Sequence, residues 1–499
     1  MKIFNAAQIK EWDAETIKQR GISSLDLMEK ASIAFVSKFK SKFSISLPVA
    51  VVCGTGNNGG DGLAIARMLS MDGFDIKIWL ADFDQKKSDD FISNLNRLPG
   101  YGKIPLEYID MAEPPVFEPN VVIIDAIFGT GLNKPLDGKF EDLVLWLNSL
   151  HHTIVSVDIP SGMFTNEHTE IAIEADYTYT FQTPKLSFFL PCYEKFTGKV
   201  SILDIGLIPE YSAKANTSYY LIEPELIKQC INKRGKFTHK GSFGHALMIN
   251  GSYGKAGAAI LSAKACLRSG VGLLTNHLPV NLYPILQMAV PEAMASLDQH
   301  DYYWSSLPEN IRRFSAIGVG CGIDQKESTV RIFQSLVQDY DGKMVLDADA
   351  LNIISSNKEL LNHIPVGSIL TPHLKEFERL FGKSNSCFDR LALLRDSAKK
   401  YAVTIILKGA HSAIAMNDGT VYFNCSGNPG MATAGAGDVL TGILTAFLAQ
   451  GYDTNTAAIM ATYIHGLAGD FAYQGESYES MIASDIIDNL GKAFHTLFQ

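Results

Sequence analysis

The feature that most constrains this chain is a rhythm. Short apolar runs, rich in Val and Ile, alternate with amphipathic stretches, and the pattern occurs as two separate series. Strands that alternate with helices of this length read as βαβ units feeding a parallel sheet. In the first series, strands are expected at 48–53 (PVAVVC), 76–80, 121–125 and 153–158, with further strands at 176–181 and 199–204. Helices are expected at 60–70, 87–98 and 141–150. The stretch 206–223 (GLIPEYSAKANTSYYLIE) loses the rhythm and carries small and polar residues, so a domain boundary is placed near residue 215. A second series follows, with strands at 245–250, 314–319, 344–347, 368–370, 403–407 and 421–423. Its helices are expected at 256–269, 327–337, 376–380, 437–450 and 454–470. The chain reads as two α/β domains.

Composition removes several function classes. The chain has 499 residues, 46% hydrophobic and 19% charged, which excludes a disordered chain and lets each domain bury its own core. Lys and Arg total 43 against 53 Asp and Glu, a formal net charge of −10. Phosphate-backbone binding needs a basic excess, so nucleic acid is not an expected partner. Local anion sites stay open, because backbone amides bind phosphate inside an acidic protein. The seven cysteines are scattered, odd in number and without a CxxC pair, so reduced thiols are expected rather than a disulfide framework or a zinc site. The opening residues mix charges into a helical pattern, and no run reaches the ~18–20 apolar residues that span a bilayer. No signal peptide, no membrane and a cytoplasmic location are expected.

Polar insertions follow three strands of the first series. Gly54–Gly62 reads GTGNNGGDG between a strand and a helix. Glycines let the backbone approach a ligand, and a helix start offers free amides to phosphate. The spacing is not the dinucleotide GxGxxG, and a glycine turn alone is as readily structural. Two Asn and an Asp in the same turn exceed what a turn requires. Asp125–Gly131 reads DAIFGTG and Asp158–Gly162 reads DIPSG, each after an apolar strand. In an open parallel sheet, ligands bind beyond the carboxyl ends of strands. Each carboxylate alone reads more readily as a turn cap. Together, Asn58, Asp125, Asp158 and Ser161 favour one pocket.

These motifs, in this order over residues 1–215, resemble the YjeF N-terminal family of NAD(P)H-hydrate epimerases. The resemblance implies a Rossmann-like three-layer α/β/α domain. It implies that Asn57, Asn58, Gly59, Gly60 and Asp61, with Gly129, Thr130, Gly131, Leu132, Asn133, Lys134 and Pro135, contact the hydrated dinucleotide. It further implies that Asn58, Asp125 and Ser161 hold K+ and that Asp158 contacts the reacting ring. Oxygen donors suit a hard monovalent cation. Asp158 is the expected general acid/base.

In the second series, Asn428–Gly442 reads NPGMATAGAGDVLTG and opens an apolar helix. Small residues at a helix start expose amides to a phosphoryl group, and the Asp438 carboxylate can accept a hydroxyl proton there. An acid in a first helical turn is also simply favourable with the helix dipole. Lys408, Gly409, Ala410, His411 and Ser412 follow one apolar strand, and Thr371-Pro372-His373 another. A Lys-Gly turn is common, and a lone His is as often structural as ligand-binding.

With Gly251–Ala259 (GSYGKAGAA), Gly318–Gly322 (GVGCG) and Leu346–Ala350 (LDADA), these segments resemble the ribokinase-like NAD(P)H-hydrate dehydratases over about residues 225–499. The resemblance implies a second three-layer α/β/α domain whose hydrate pocket is lined by Ala258, Gly322, His373 and Asp438. Lys408 to Ser412 and Gly437 would bind the adenine nucleotide. Two positions depart from the family pattern: Leu374-Lys375 stands where Pro-Gly is frequent, and Ser412 where Thr is usual.

The combined expectation is a two-activity repair enzyme for NADH and NADPH hydrates (NADHX and NADPHX). The first domain interconverts the R and S forms. The second dehydrates the S form, consuming ADP with Mg2+. The rival readings are a vitamin-type small-molecule kinase, which has no use for GNNGGDG, and a non-catalytic dinucleotide sensor, which has no need of both Asp158 and Asp438. A homo-oligomer is also expected. The apolar 454–469 helix suits either an interface or the monomer core.

Overall fold

The computed structural model describes residues 1–83, 86–101 and 104–498. It divides into two compact units, Lys2–Thr217 and Ser218–Gln499, the latter with Met1.

The first unit carries seven strands: β1 (Val49–Cys53), β2 (Ile76–Leu80), β3 (Leu106–Tyr108), β4 (Val122–Ala126), β5 (Thr153–Val157), β6 (Tyr177–Phe181) and β7 (Lys199–Leu203). Their order is β3-β2-β1-β4-β5-β6-β7, and every pairing is parallel. Five helices matter here: α1 (Ala6–Arg20), α2 (Ser24–Lys40), α3 (Asn57–Met71), α4 (Asp89–Arg97) and α5 (Gly138–Ser149). β1 shows why the sheet has two covered faces. Val49, Val51 and Cys53 join a core with Phe35 and Phe39 of α2 and Leu63 of α3, whereas Ala50 and Val52 join another with Leu143 and Leu147 of α5. A strand buried on both faces reads as a continuous apolar run, and VAVVC does.

The strand order reverses between β1 and β4, so the loops after these two strands open away from each other and leave a crevice. The sequence reading missed α2 and β3. It also began the third helix too late: α3 starts at Asn57, so Asn57–Asp61 form its first turn rather than a loop before it.

The second unit is a ten-stranded sheet. Its strands are β8 (Tyr219–Leu221), β9 (His245–Ile249), β10 (Leu273–Leu278), β11 (Met294–Leu297), β12 (Ala316–Val319), β13 (Met344–Leu346), β14 (Ile369–Leu370), β15 (Thr404–Leu407), β16 (Ser412–Ala415) and β17 (Val421–Asn424). The order is β11-β10-β9-β12-β13-β14-β15-β16-β17-β8; only the β15/β16 and β16/β17 pairings are antiparallel. Strands β8, β10, β11 and β16 and the helices Asp349–Ser356, Cys387–Tyr401 and Ala483–Phe498 are among the elements not anticipated, β8 falling in the stretch read as a boundary. The apolar helix now spans Thr454–Tyr473. Its Ile459, Met460 and Ile464 belong to the unit's own core with Ile443 and Leu490, so those residues are spent inside the chain. Among the described residues no helix is long and apolar enough to cross a membrane.

Glycine spacing in α3 reflects contact with the sheet. A Cβ on Gly62 would stand 2.5 Å from the Ala126 Cβ and 2.7 Å from the Cys53 Sγ, whereas one on Gly491 meets nothing within 4 Å. Gly62→Ala is expected to destabilise the first unit by about 1–3 kcal/mol of overpacking, offset in part by helix propensity. Gly491→Ala, inside an open helix, is expected to stabilise by up to ~1 kcal/mol. Denaturant midpoints of the full chain measure both signs.

Candidate active sites

The crevice of the first unit holds a cavity of about 910 Å³ lined by Asn57, Asn58, Asp61, residues 129–137, Asp158 and Lys185. α3 enters it with Gly56 as an N-cap that makes no side-chain capping bond. The first amides of the helix therefore remain as donors for an anion. Close packing fixes this turn: a Cβ on Gly59 would lie 1.9 Å from the Gly54 carbonyl oxygen, and one on Gly129 would lie 3.2 Å from the Asn58 Nδ2. Asn57, Asn58 and Asp61 thus face one space with 129–135, whereas Gly59 packs against Gly54 and Gly60 against Met28, and neither glycine lines the cavity.

Asp125 and Ser161 are hydrogen-bonded to each other, and Asn58 stands in the cavity wall. Asp125 is fully buried at the end of β4, and its carboxylate accepts bonds from the Ser156 hydroxyl (2.7 Å), the Ser161 amide (2.9 Å) and the Ser161 hydroxyl. Burial raises its pKa, with these bonds pulling the other way. Asn58 donates through Nδ2 to the Val157 carbonyl (3.0 Å), leaving its buried Oδ1 without a hydrogen-bond partner. An orphaned buried acceptor carries a desolvation cost, and a cation would offset it.

Asp158 follows β5 with φ +67°, a conformation uncommon outside glycine. Its amide donates to the Tyr179 carbonyl (2.9 Å). Its Oδ1 accepts from Lys185 Nζ (2.6 Å), the Phe181 amide (3.0 Å) and the Thr180 hydroxyl (3.2 Å). Lys185 is wholly buried and also donates to Thr180 Oγ1, the Thr183 carbonyl and the Phe181 carbonyl. All three bonds to the Asp158 carboxylate fall on Oδ1, which leaves Oδ2 for a ligand. The sequence reading missed Lys185. Its signal was a lysine set among the apolar residues of FQTPKLSFF, where a charge survives only with a partner.

In the second unit, four segments bring their polar residues together. The helix Ala436–Ala449 starts at Gly435, φ +92°, with no side-chain cap; the Ala436 amide makes a long bond to the Thr433 carbonyl (3.4 Å), and the Gly437 and Asp438 amides remain as donors. Gly437 approaches Lys408 and Asp347: its Cβ would lie 3.4 Å from Nζ and 3.5 Å from Oδ2. Lys408 Nζ donates to Asp347 Oδ1 (2.8 Å), and Thr441 Oγ1 donates to Asp347 Oδ2 (2.9 Å). Burial lowers the Lys408 pKa, but the Asp347 charge and bond and the Glu376 charge outweigh it, and the net direction is up. Asp438 is pushed up to about 6, first by burial, with the Cys321 thiol hydrogen-bonded to it. Gly322 lies against Ala258, where its Cβ would be 3.2 Å from that of Ala258.

Two predicted residues serve locally. His373 caps the helix Leu374–Phe381, its Nδ1 accepting from the Lys375 and Glu376 amides while Glu376 accepts from the His373 amide. Ser412 closes the β15–β16 turn, donating to the Gly409 carbonyl (3.1 Å), and Ala410 and His411 are exposed on that turn. Asp347, Cys321, Glu376 and Thr441 received no role from sequence, although LDADA and GDVLT contain two of them.

Comparison with known proteins agrees with the two-unit division. Residues 24–187 match the family described as YjeF-related protein N-terminus, and 246–492 match NAD(P)H-hydrate dehydratase. The chain is 32% identical over 519 residues to the bifunctional NAD(P)H-hydrate repair enzyme Nnr of Thermofilum pendens, covering all of this chain and 97% of that one. It is 33% identical to the enzyme of that name from Moorella thermoacetica, covering 98% and 96%. A ribokinase-like superfamily protein from Enterococcus faecalis is similar in structure, with TM-score 0.50 and 26% identity over 57% of this chain and 98% of that chain. Similarity at this level and extent, along both units and through both glycine-rich helix starts, places the chain in the bifunctional NAD(P)H-hydrate repair enzyme family.

Proposed function

We propose that an N-terminal domain, residues 1–215, interconverts the R and S epimers of NADH and NADPH hydrates. A C-terminal domain, residues 225–499, dehydrates the S form, converting ADP to AMP and phosphate. The observation that carries this reading is that, in each unit, an uncapped glycine-rich helix start stands beside a carboxylate: Asp158 in the first, Asp438 in the second.

In the first unit, the amides of α3 and residues 129–135 bind and orient the dinucleotide, and Asp158 Oδ2 faces the reacting ring. The residues fit a potassium ion: Asn58, Asp125 and Ser161 offer oxygen only, and Asn58 Oδ1 lacks a donor. When bound, the ion supplies a fixed positive charge at this buried acceptor. In the second unit, Asp438 removes the proton from the C6 hydroxyl as that oxygen attacks the terminal phosphorus of ADP, and the bond to AMP breaks. Phosphate then leaves C6, a proton leaves C5, and the 5,6 double bond returns. The GAGD amides face the charge that develops on the transferring group. Magnesium would ride mainly on the nucleotide phosphates. Asp347 is already engaged by Lys408 and Thr441, and no group of three metal-ligating side chains occurs among the described residues.

Full-length protein with mixed-epimer NADH hydrate tests the assignments. Without nucleotide, Asp158→Asn is expected to slow epimer interconversion, followed by chromatography, about 10²–10⁴-fold. With ADP and Mg2+, Asp438→Asn is expected to abolish return of NADH absorbance. Wild-type rates in both variants would reject the reading. Because Asp438 must be ionised to act as base and its pKa is raised to about 6, the dehydration rate is expected to fall as pH drops through 6 and to level off above it. KCl in place of NaCl is expected to raise the melting temperature of wild type but not of Asn58→Ala, since only the former holds the ion.

A further inference from the structure

We propose that Asp13 is a second catalytic residue of the epimerase cavity, the proton donor to the C6 hydroxyl of the hydrate. This rests on the epimerase reading above. Ile9, Trp12, Asp13 and Thr16 follow i, i+3, i+4, i+7 spacing, the inward stripe of α1, and the other three are buried. An acid therefore occupies a position where an apolar residue would pack.

The helix is held in rotation from both sides. Trp12 Nε1 donates to the Ile208 carbonyl (2.7 Å), and Thr16 Oγ1 donates to the Trp12 carbonyl (2.8 Å) while accepting from the Ile208 amide (3.3 Å). Asn5 and Gln8 form a capping box that fixes where the helix begins. So anchored, α1 places Asp13 in the wall of the same cavity as Asp158. Asp13 makes no hydrogen bond or ion pair to any other described residue.

Several elements place titratable groups in the cavity wall, and α2 contributes only uncharged residues. Besides Asp13 itself, the titratable groups are Lys10 of α1, Asp61 of α3, Asp90 of α4, Lys134 and Asp137 of the 129–137 loop, and Asp158 with Lys185. Lys134 pairs with Asp137 (3.1 Å) and Lys185 with Asp158 (2.6 Å), so both are engaged elsewhere, and Lys10 forms no ion pair with Asp13. Burial, and then the Asp158 charge, push the Asp13 pKa up to about 7, with Lys185 acting in the other direction. An ion-paired carboxylate and an unpaired acid in one cavity are the two halves of acid–base catalysis.

The step balances as follows. Asp13 gives its proton to the C6 hydroxyl while the C6–O bond breaks, its electron pair leaving with oxygen as water. The N1 lone pair forms an N1–C6 double bond. Water adds to the opposite face, and its proton passes to Asp158 and back to the Asp13 carboxylate. The net change is inversion at C6.

The test uses the full chain without nucleotide, following R and S hydrate by chromatography across pH. Wild-type kcat is expected to fall about tenfold per pH unit above 7, as Asp13 loses its proton. Asp13→Asn is expected to lower kcat ~10²–10³-fold with KM little changed, to lose that limb, and to keep the wild-type circular dichroism with an equal or higher melting temperature. Asp13→Glu is expected to recover part of the rate and the limb. Wild-type kcat and an unchanged limb in Asp13→Asn would overturn the role of Asp13 alone. A rate loss with an intact limb would also overturn it, as that result marks a purely structural contribution. Absence of interconversion in wild type would overturn the epimerase reading as well.

Discussion

A parallel sheet covered on both faces has no room for polar side chains along its strands. Val49–Cys53 and Val122–Ala126 pack into apolar layers above and below, and every residue of both strands is buried. The chain can place chemistry only where a strand ends and its backbone turns toward the next helix. Asp125, Asp158, Asp347 and Lys408 all stand at or just beyond such ends. Helix starts reach the same edge, so unspent amides and carboxylates share it. In the first unit the reversal of strand order between β1 and β4 widens this edge into a cavity.

Burying charge at that edge requires compensation, and the two units achieve it differently. Lys185 is sealed from solvent and divides its donors among Asp158, Thr180 and two carbonyls. Removing one partner of such a pair strands the other charge, typically at about 3–5 kcal/mol. In the second unit Asp347 stands between Lys408 and Thr441 and absorbs the lysine charge, so Asp438 receives no direct ion pair and burial dominates its pKa. That difference would suit the proposed role of Asp438: a base that must release and regain protons near neutrality is better left without a cation fixed upon it.

Most of the architecture was legible because its cause is local. Continuous Val/Ile runs mark doubly buried strands, and β2 falls on its expected residues, Ile76–Leu80. Short edge strands such as β3 (Leu106–Tyr108), largely exposed, carry no such run and escaped notice. The start of α3 was misplaced because glycine and asparagine signal turns, whereas here contact with the sheet overrides their weak helix propensity: Gly59 and Gly62 sit where a Cβ would strike Gly54 and Ala126. Asp158 and Asp438 stood out because they lie within glycine-rich motifs. Lys185 and Asp13 did not: Lys185 is a single charge among apolar residues, Asp13 is one of several charges on a mixed helix, and the meaning of each depends on partners distant in sequence.

The glycine placements explain how one principle serves two chemistries. In α3 the glycines face inward, drawing the helix start against β1 and β4 and bringing Asn58 close beneath Gly129. On the proposed reading a ligand would meet side-chain amides and carboxylates, a surface suited to holding and protonating a ring. In GAGD, Gly435 takes the left-handed turn at φ +92° and Gly437 leaves only 3.4 Å between its missing side chain and the Lys408 ammonium. Any side chain there would fill the space above the lysine; on the proposed reading a ligand would meet backbone amides and the half-buried Lys408 ammonium, a surface suited to phosphate. Uncapped helix starts alone do not distinguish the two activities. The distinction lies in which groups the glycines allow to come near, and that is set by the strand each helix packs against.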